Sequence, residues 1–253
     1  MYGVFSWKKA LFGVIFFLLA LFFLLGTAGR TMQALASPRE LPIYSVDTGG
    51  EKLAALGINC AWDDSGLDDL LAILDTHSAR ATFFLVGEWA EKYPQAVKKI
   101  ADAGHELASH SDTHADMAKL SRQDILAELE NSRQTIESIS GQEIHLFRPP
   151  SGSYNDRLVS TAREAGWEVI QWSNDSIDWK EPPVQDMADR VCKKAAPGDI
   201  MLWHLGKKNT SAAIEAVLGT LCGQGYRFVA VGELIRPAPY TIDHTGRQFP
   251  ADT

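Results

Sequence analysis

The chain has 253 residues, 45% of them hydrophobic, and a formal net charge of −8. That length holds one sizeable domain with a buried core plus a membrane segment. The acidic balance excludes the basic footprint of a nucleic-acid binder and gives no attraction to an anionic polymer or lipid surface, so a neutral or partly cationic glycan suits it better. The three cysteines, Cys60, Cys192 and Cys222, form no Cys-x-x-Cys metal spacing, and their odd number gives no disulfide framework. They read as small buried hydrophobes, with a Cys192–Cys222 pairing left open.

In chain order, residues 1–9 come first and end in Lys8 and Lys9. The uncharged, Leu- and Phe-dominated run Ala10–Gly29 follows, and its 20 residues match the roughly 20 needed to cross a bilayer core. Only Arg30 follows closely, so the positive-inside rule favours a cytoplasmic N-terminus and an extracytoplasmic domain. Ala34-Leu35-Ala36 offers a small-x-small cleavage site. The length of the apolar run, and the distance of that site from its end, favour a retained anchor over a cleaved signal peptide. Residues 30–50, with Pro38 and Pro42, read as a stalk. The domain is expected over 51–236, and 237–253 reads as a tail without a strong pattern.

From Leu53, strand-like and helical runs alternate. Leu53–Cys60 is a short apolar strand, and Asp68–His77 carries Leu70, Leu71, Ile73 and Leu74 at helical spacing. Ala81–Val86 is a buried strand. Pro94–Ala103 is a helix closed by Gly104, and Glu106–Ser109 is a short strand. Ser121-Arg-Gln-Asp124 resembles a capping box that opens a helix to about Ile139. Three helix-then-strand units follow: Asp156–Ala165 with Trp167–Gln171, Val184–Ala195 with Asp199–Trp203, and Ser211–Cys222 with Tyr226–Ala230. This alternation argues an α/β fold with a parallel sheet, and about seven strands favour a barrel over an open sheet. In such a barrel the chemistry gathers at the C-terminal ends of the strands.

Five polar motifs fall at those ends: Asp63-Asp64; His110-Ser-Asp-Thr-His114; Arg148-Pro-Pro-Ser151-Gly-Ser-Tyr154-Asn155; Asp175-Ser-Ile-Asp178-Trp179; and Leu202-Trp203-His204. On one helical turn His110 and His114 would face the same side and could share a divalent metal with a carboxylate. Asp64 is the expected third ligand and Asp63 its rival. Imidazole with carboxylate suits zinc, with cobalt or nickel as substitutes. His204, at the end of an apolar strand, is suited to act as a general acid.

In this order and spacing the motifs resemble polysaccharide deacetylases of the NodB-homology type, carbohydrate esterase family 4, over about Leu41–Gln248. The resemblance implies a distorted, incompletely closed (β/α) barrel and metal-dependent hydrolysis of N-acetyl groups on an extracytoplasmic glycan, peptidoglycan or another N-acetylglucosamine polymer. It further implies that Asp175 orients His204, that Arg148 pairs with the catalytic base, and that the backbone N–H of Ser151 helps hold the oxyanion. Pro150–Tyr154 would line the groove, with Leu202 and Trp179 walling the acetyl methyl group. Family members usually carry an aromatic residue where Ser151 stands. The family's first motif, Thr-Phe-Asp-Asp-Gly, can be aligned in two ways. In one, Asp63-Asp64 supplies both carboxylates. In the other, Gly57-Ile-Asn59-Cys-Ala-Trp62-Asp63-Asp64 is similar to the longer motif of a sporulation-associated Gram-positive subgroup, and Asn59 takes the place of the base. The second fits better and leaves Asp63 as a substitute base. It opens an alternative function, a glycan- or partner-binding module with impaired catalysis, because an amide cannot take a proton from water near neutral pH.

Overall fold

The computed structural model describes Phe17, Leu18, Phe22 and residues 39–251. The chain divides into two units, Met1–Arg39 and Glu40–Thr253, and among the described residues the second carries every strand. The expected anchor, 10–29, lies outside the described residues apart from Phe17, Leu18 and Phe22, which are helical and exposed. Among the described residues no helix is long and apolar enough to cross a membrane.

Seven parallel strands form one curled sheet in the order β6-β5-β4-β3-β2-β8-β7. They are β2 (Leu53–Cys60), β3 (Ala81–Leu85), β4 (Glu106–Ser109), β5 (Leu146–Phe147), β6 (Glu168–Val169), β7 (Asn174–Asp175) and β8 (Ile200–His204). A further strand, β9 (Arg227–Phe228), pairs with the start of β2. The helices between them are α1 (Leu67–Thr76), α2 (Gly87–Lys92), α3 (Pro94–Asp102), α4 (Arg122–Ser140), α5 (Asp156–Glu164), α6 (Val184–Lys194), α7 (Thr210–Gly223) and α8 (Val231–Leu234). The ends of α4 are set by chemistry legible in its sequence. Ser121 Oγ accepts from the Asp124 N–H at 3.2 Å, and Gly141 closes the helix in the left-handed conformation (φ 72°).

The pleat of β2 sorts its residues into two environments, because successive side chains point to opposite faces. Leu56, Ile58 and Cys60 join the core beneath the helices, with Phe83, Leu85, Phe147, Met201 and Trp203 from neighbouring strands. Ala55 instead joins Phe84, Ala108, Leu146, Ile170 and Ile200 in an apolar cluster inside the curl. Gly57 and Asn59 continue that inner row toward the C-terminal end.

The sheet stays open between β6 and β7, and the segment before the expected domain lies at this gap. Ile43 bridges to Ile170, and Ser45 bridges to Asp199 at the entry to β8. Ile43 and Val46 are buried in the inner cluster, so residues 40–50 are part of the barrel and not the stalk expected from sequence. The tail is structured as well. β10 (Tyr240–Ile242) and β11 (Arg247–Pro250) form a hairpin, and β11 pairs in parallel with β1 (Ser45–Val46). Gln248 is fully buried and fixes this small sheet through bonds to the backbone of Arg236. The three cysteines are free thiols, Cys60 being fully buried.

Candidate active site

The C-terminal ends of β2, β4, β5, β7 and β8 surround a cavity of about 400 Å³. Its wall includes Asn59, His110, His114, Ser151, Asp175, Leu202 and His204. Asn59 stands level with His204 on β8 and with Phe84 on β3.

Arg148, immediately after β5, points into the barrel and is fully buried. Its Nη1 donates to Asn59 Oδ1 (2.9 Å) and to the Gly57 carbonyl (3.1 Å), and its Nη2 donates to the Gln171 carbonyl (3.3 Å). The guanidinium lies 3.9 Å from the centroid of the Phe84 ring. Gly57 makes the approach possible, since a Cβ there would fall on the guanidinium, 2.8 Å from Nη1. All three oxygens facing this cation belong to amides. Burial without a counter-ion lowers the arginine pKa to about 9. Because Asn59 Oδ1 is taken by Arg148, the group left to face the cavity is its NH₂. A donor therefore stands where an aspartate would present an accepting oxygen.

His110 and His114 come together with ring centroids 5.0 Å apart, but not on the expected helical turn. They sit on an irregular loop after β4 in which Ser111 (φ 68°) and His114 (φ 59°) are left-handed. Glu128 on α4 holds this loop by accepting from the Asp112 N–H (2.9 Å), the Thr113 N–H (2.9 Å) and Thr113 Oγ1 (2.7 Å). Nδ1 of His110 is 2.7 Å from the Arg148 carbonyl, to which it donates. That bond leaves Nε2 of His110 as a lone-pair donor. Burial, then the neighbouring His114, push the His110 pKa well below its ordinary value. Burial, then His204, lower that of His114. Two neutral imidazoles suit the nitrogen ligands of a divalent metal.

The carboxylate expected to join them is elsewhere. Asp64 is exposed and lines a separate depression with Asp68 and Lys99. Asp63 Oδ1 accepts from the N–H and hydroxyl of Ser65, bonds that lower its pKa. Neither aspartate lines the cavity. Among the described residues no three His, Cys, Asp or Glu side chains form a metal-holding group. The loop after β2 turns away because Cys60 already points into the helix-side core, and the Trp89 indole donates to the Asp63 carbonyl (3.2 Å).

The partner of His204 also differs from expectation. Asp178 is fully buried; its Oδ1 lies 2.7 Å from His204 Nδ1, and its Oδ2 accepts from the His204 N–H (2.7 Å) and Thr210 Oγ1 (2.9 Å). Asp175 lines the cavity, but its Oδ1 accepts from the Ile177 N–H. A turn through left-handed Ile177 (φ 57°) and Glu181 (φ 54°) carries Asp178, three residues on, into the orienting role.

Ser151 lines the cavity in the left-handed region (φ 54°). Trp172 packs over the adjacent Gly152, its Cη2 lying 2.8 Å from where a Cβ would stand, so an indole from another strand end fills the space beside the small Ser151. Leu202 and Trp179 line the cavity, whereas Tyr154 does not; its hydroxyl accepts from Tyr44 (3.1 Å). Trp62 and Trp172 are wall residues that sequence reasoning passed over. Trp62, the tryptophan of the longer first motif, was the available signal, and its ring lies 5.4 Å from that of His204.

A family model described as polysaccharide deacetylase matches residues 47–170. The chain is 35% identical over 191 residues to a peptidoglycan-N-acetylglucosamine deacetylase of Bacillus cereus, covering 74% of this chain and 89% of that protein. It is 35% identical over 201 residues to the uncharacterized protein YlxY of Bacillus subtilis, covering 79% of this chain and 62% of YlxY, so it spans under two thirds of that relative. Among solved structures it resembles BA3943, a CE4 family pseudoenzyme from Bacillus anthracis, with a TM-score of 0.74 and 36% identity over 77% of this chain and 69% of that one. A mutant of BA3943 with restored enzymatic activity superposes equally well, with a TM-score of 0.74.

Proposed function

The chain belongs to the polysaccharide deacetylase family, and from that premise we propose that its cavity binds an N-acetylated glycan of the peptidoglycan class and hydrolyses the acetamide slowly, for want of a general base. One observation carries the reading. The buried Arg148 reaches an asparagine oxygen at the floor of a cavity that otherwise holds two neutral imidazoles and an oriented third.

In this reading the indoles of Trp62 and Trp179 receive the sugar, and its acetyl methyl packs on Leu202. The Ser151 N–H faces the carbonyl oxygen as charge develops on it. Asp178 holds the His204 ring by Nδ1, so that Nε2 faces the leaving nitrogen; the Nε2 proton passes to that nitrogen, and acetate departs. A divalent metal held by His110 and His114, zinc foremost with cobalt or nickel as substitutes, would polarise the carbonyl and acidify water. Asn59 supplies no base for that water, and losing one costs about 10²–10⁴-fold in rate. The apolar run 10–29 supports an extracytoplasmic site of action behind a membrane anchor.

A second reading, a glycan-binding module without turnover, is favoured by the Asn59–Arg148 pair and by the likeness to a pseudoenzyme. Acetate release from peptidoglycan and N-acetylglucosamine oligomers separates the two, comparing parent and Asn59→Asp after metal stripping and reloading. Slow metal-dependent release by the parent, rising about 10²–10⁴-fold in Asn59→Asp, is expected. A silent parent with an active variant would establish the binding module. Absence of both release and binding in either protein would sink both readings.

A further inference from the structure

Asn59 is itself a carboxamide, and it stands in the wall of a cavity whose proposed work is to hydrolyse one. Its two polar atoms meet different surroundings. Oδ1 accepts a charged bond from Arg148 Nη1 at 2.9 Å, which draws electrons from the carbonyl and stabilises negative charge as it forms on that oxygen. Among the described residues no acceptor holds Nδ2, which faces the cavity. His204 is the partner of Asn59 across β2 and β8, so both side chains leave the same face of the sheet. Asp178 holds Nδ1 of His204 and leaves Nε2 to the cavity.

The ordinary route by which an asparagine loses its amide is attack by the next residue's backbone nitrogen, closing a succinimide ring. That route is shut here. Asn59 and Cys60 both lie inside β2, in register with Phe84 and Leu85 of β3, and Cys60 is fully buried in the helix-side core. Ring closure would require this central strand to leave the ladder. Direct hydrolysis requires no such movement, and its product is favoured. Arg148 is fully buried, the oxygens facing its guanidinium all belong to amides, and its Nε has no partner. A carboxylate at position 59 gives this cation a counter-charge within hydrogen-bond reach.

We propose that Asn59 is a self-modification site: the cavity hydrolyses its side-chain amide to aspartate and so generates the missing general base. The oxygen of a water molecule bonds to Cγ, and the Cγ–Nδ2 bond breaks. His204 Nε2 delivers a proton to the leaving nitrogen and recovers one from the water. The acid proton of the new carboxyl leaves with ammonia as ammonium, and the carboxylate stays on Arg148. Each chain needs a single event and no turnover, so a slow reaction suffices. The inference rests on the hydrolase reading of the cavity and makes its missing base a state that the chain can leave.

The test follows residue 59 by mass spectrometry, independently of acetate. The full chain in detergent, reloaded with zinc, is held warm for several days in oxygen-labelled water and digested, and the peptide carrying position 59 is sequenced. Label-bearing aspartate at this position is expected, with His204→Ala or the bulkier His204→Gln slowing the conversion by about 10²-fold or more. An asparagine that persists in the parent overturns the proposal, as does equal conversion in both histidine variants. Isoaspartate at position 59 would reveal the succinimide route and overturn it too. Labelled conversion without acetate release from any glycan would uphold the proposal and sink the deacetylase reading. Slow acetate release from a chain that keeps Asn59 would do the reverse.

Discussion

Asn59 and Arg148 together form a buried cation answered only by amide oxygens. Replacing Asn59 with Asp puts a carboxylate within hydrogen-bond reach of a guanidinium that is already desolvated, so most of the burial cost is met before the exchange. A charged acceptor in place of a neutral one is worth about 1–2 kcal/mol here. The melting temperature of Asn59→Asp should rise by about 3–6 °C in calorimetry, and an unchanged or lower value would mean that Arg148 is satisfied as it stands. The acid side of the site has its own test at the same scale. In the Asn59→Asp background, Asp178→Asn should cost about 10²-fold or more in acetate release, because Asp178 meets both the ring and the backbone of His204. Asp175→Asn should cost only a few-fold, and equal losses would contradict the assignment. The sequence shows two acidic residues in this motif and cannot rank them. Their roles are set by the left-handed turn at Ile177, a conformation that a β-branched side chain rarely adopts and that composition does not signal.

The elements themselves were more legible than their side-chain directions. The Ser121–Asp124 cap, the closing Gly104, and the alternating runs from Leu53 to Phe228 mark helices and strands nearly where they lie, because caps and hydrophobic period are local physics. The tail was not legible: its hairpin is tied to Ser45 and Val46, about two hundred residues earlier in the chain. Nor was the departure of Asp63 and Asp64, which follows from the two-residue pleat of β2. With Asn59 inside and Cys60 outside, the chain leaves the strand on the helix side, and no motif spacing records that. The loop that carries His110 and His114 is likewise shaped by tertiary contact, through three bonds to Glu128 on α4. In Glu128→Ala the Asp112 and Thr113 amides lose their acceptor, and their hydrogen exchange should speed by about tenfold or more. Exchange unchanged at these two amides would show that the loop holds its own shape.

Across the whole domain, the two ends of the barrel carry different duties. At the end opposite the cavity, His105 precedes β4 with its Nδ1 accepting from the Ala81 N–H (3.4 Å). Burial lowers its pKa to about 4 from an ordinary value near 6.5. The unfolded chain therefore binds a proton between pH 6.5 and 4 that the folded one refuses. Stability from this residue is complete above pH 6.5 and is lost as the pH falls toward 4. The melting temperature of His105→Asn should be flatter than that of the parent across this window, and parallel profiles would remove His105 from the acid response. Inside the barrel the division is sharper. Below Arg148 the interior is an apolar cluster that includes Ile43, Ala55, Phe84, Ile170 and Ile200; above it stand Asn59, the histidines and Asp175. The groups that do chemistry share little packing with those that keep the fold together. Substitutions at the mouth can accumulate or revert while the scaffold persists, so this barrel is a ready frame for installing other hydrolytic or binding chemistries by design.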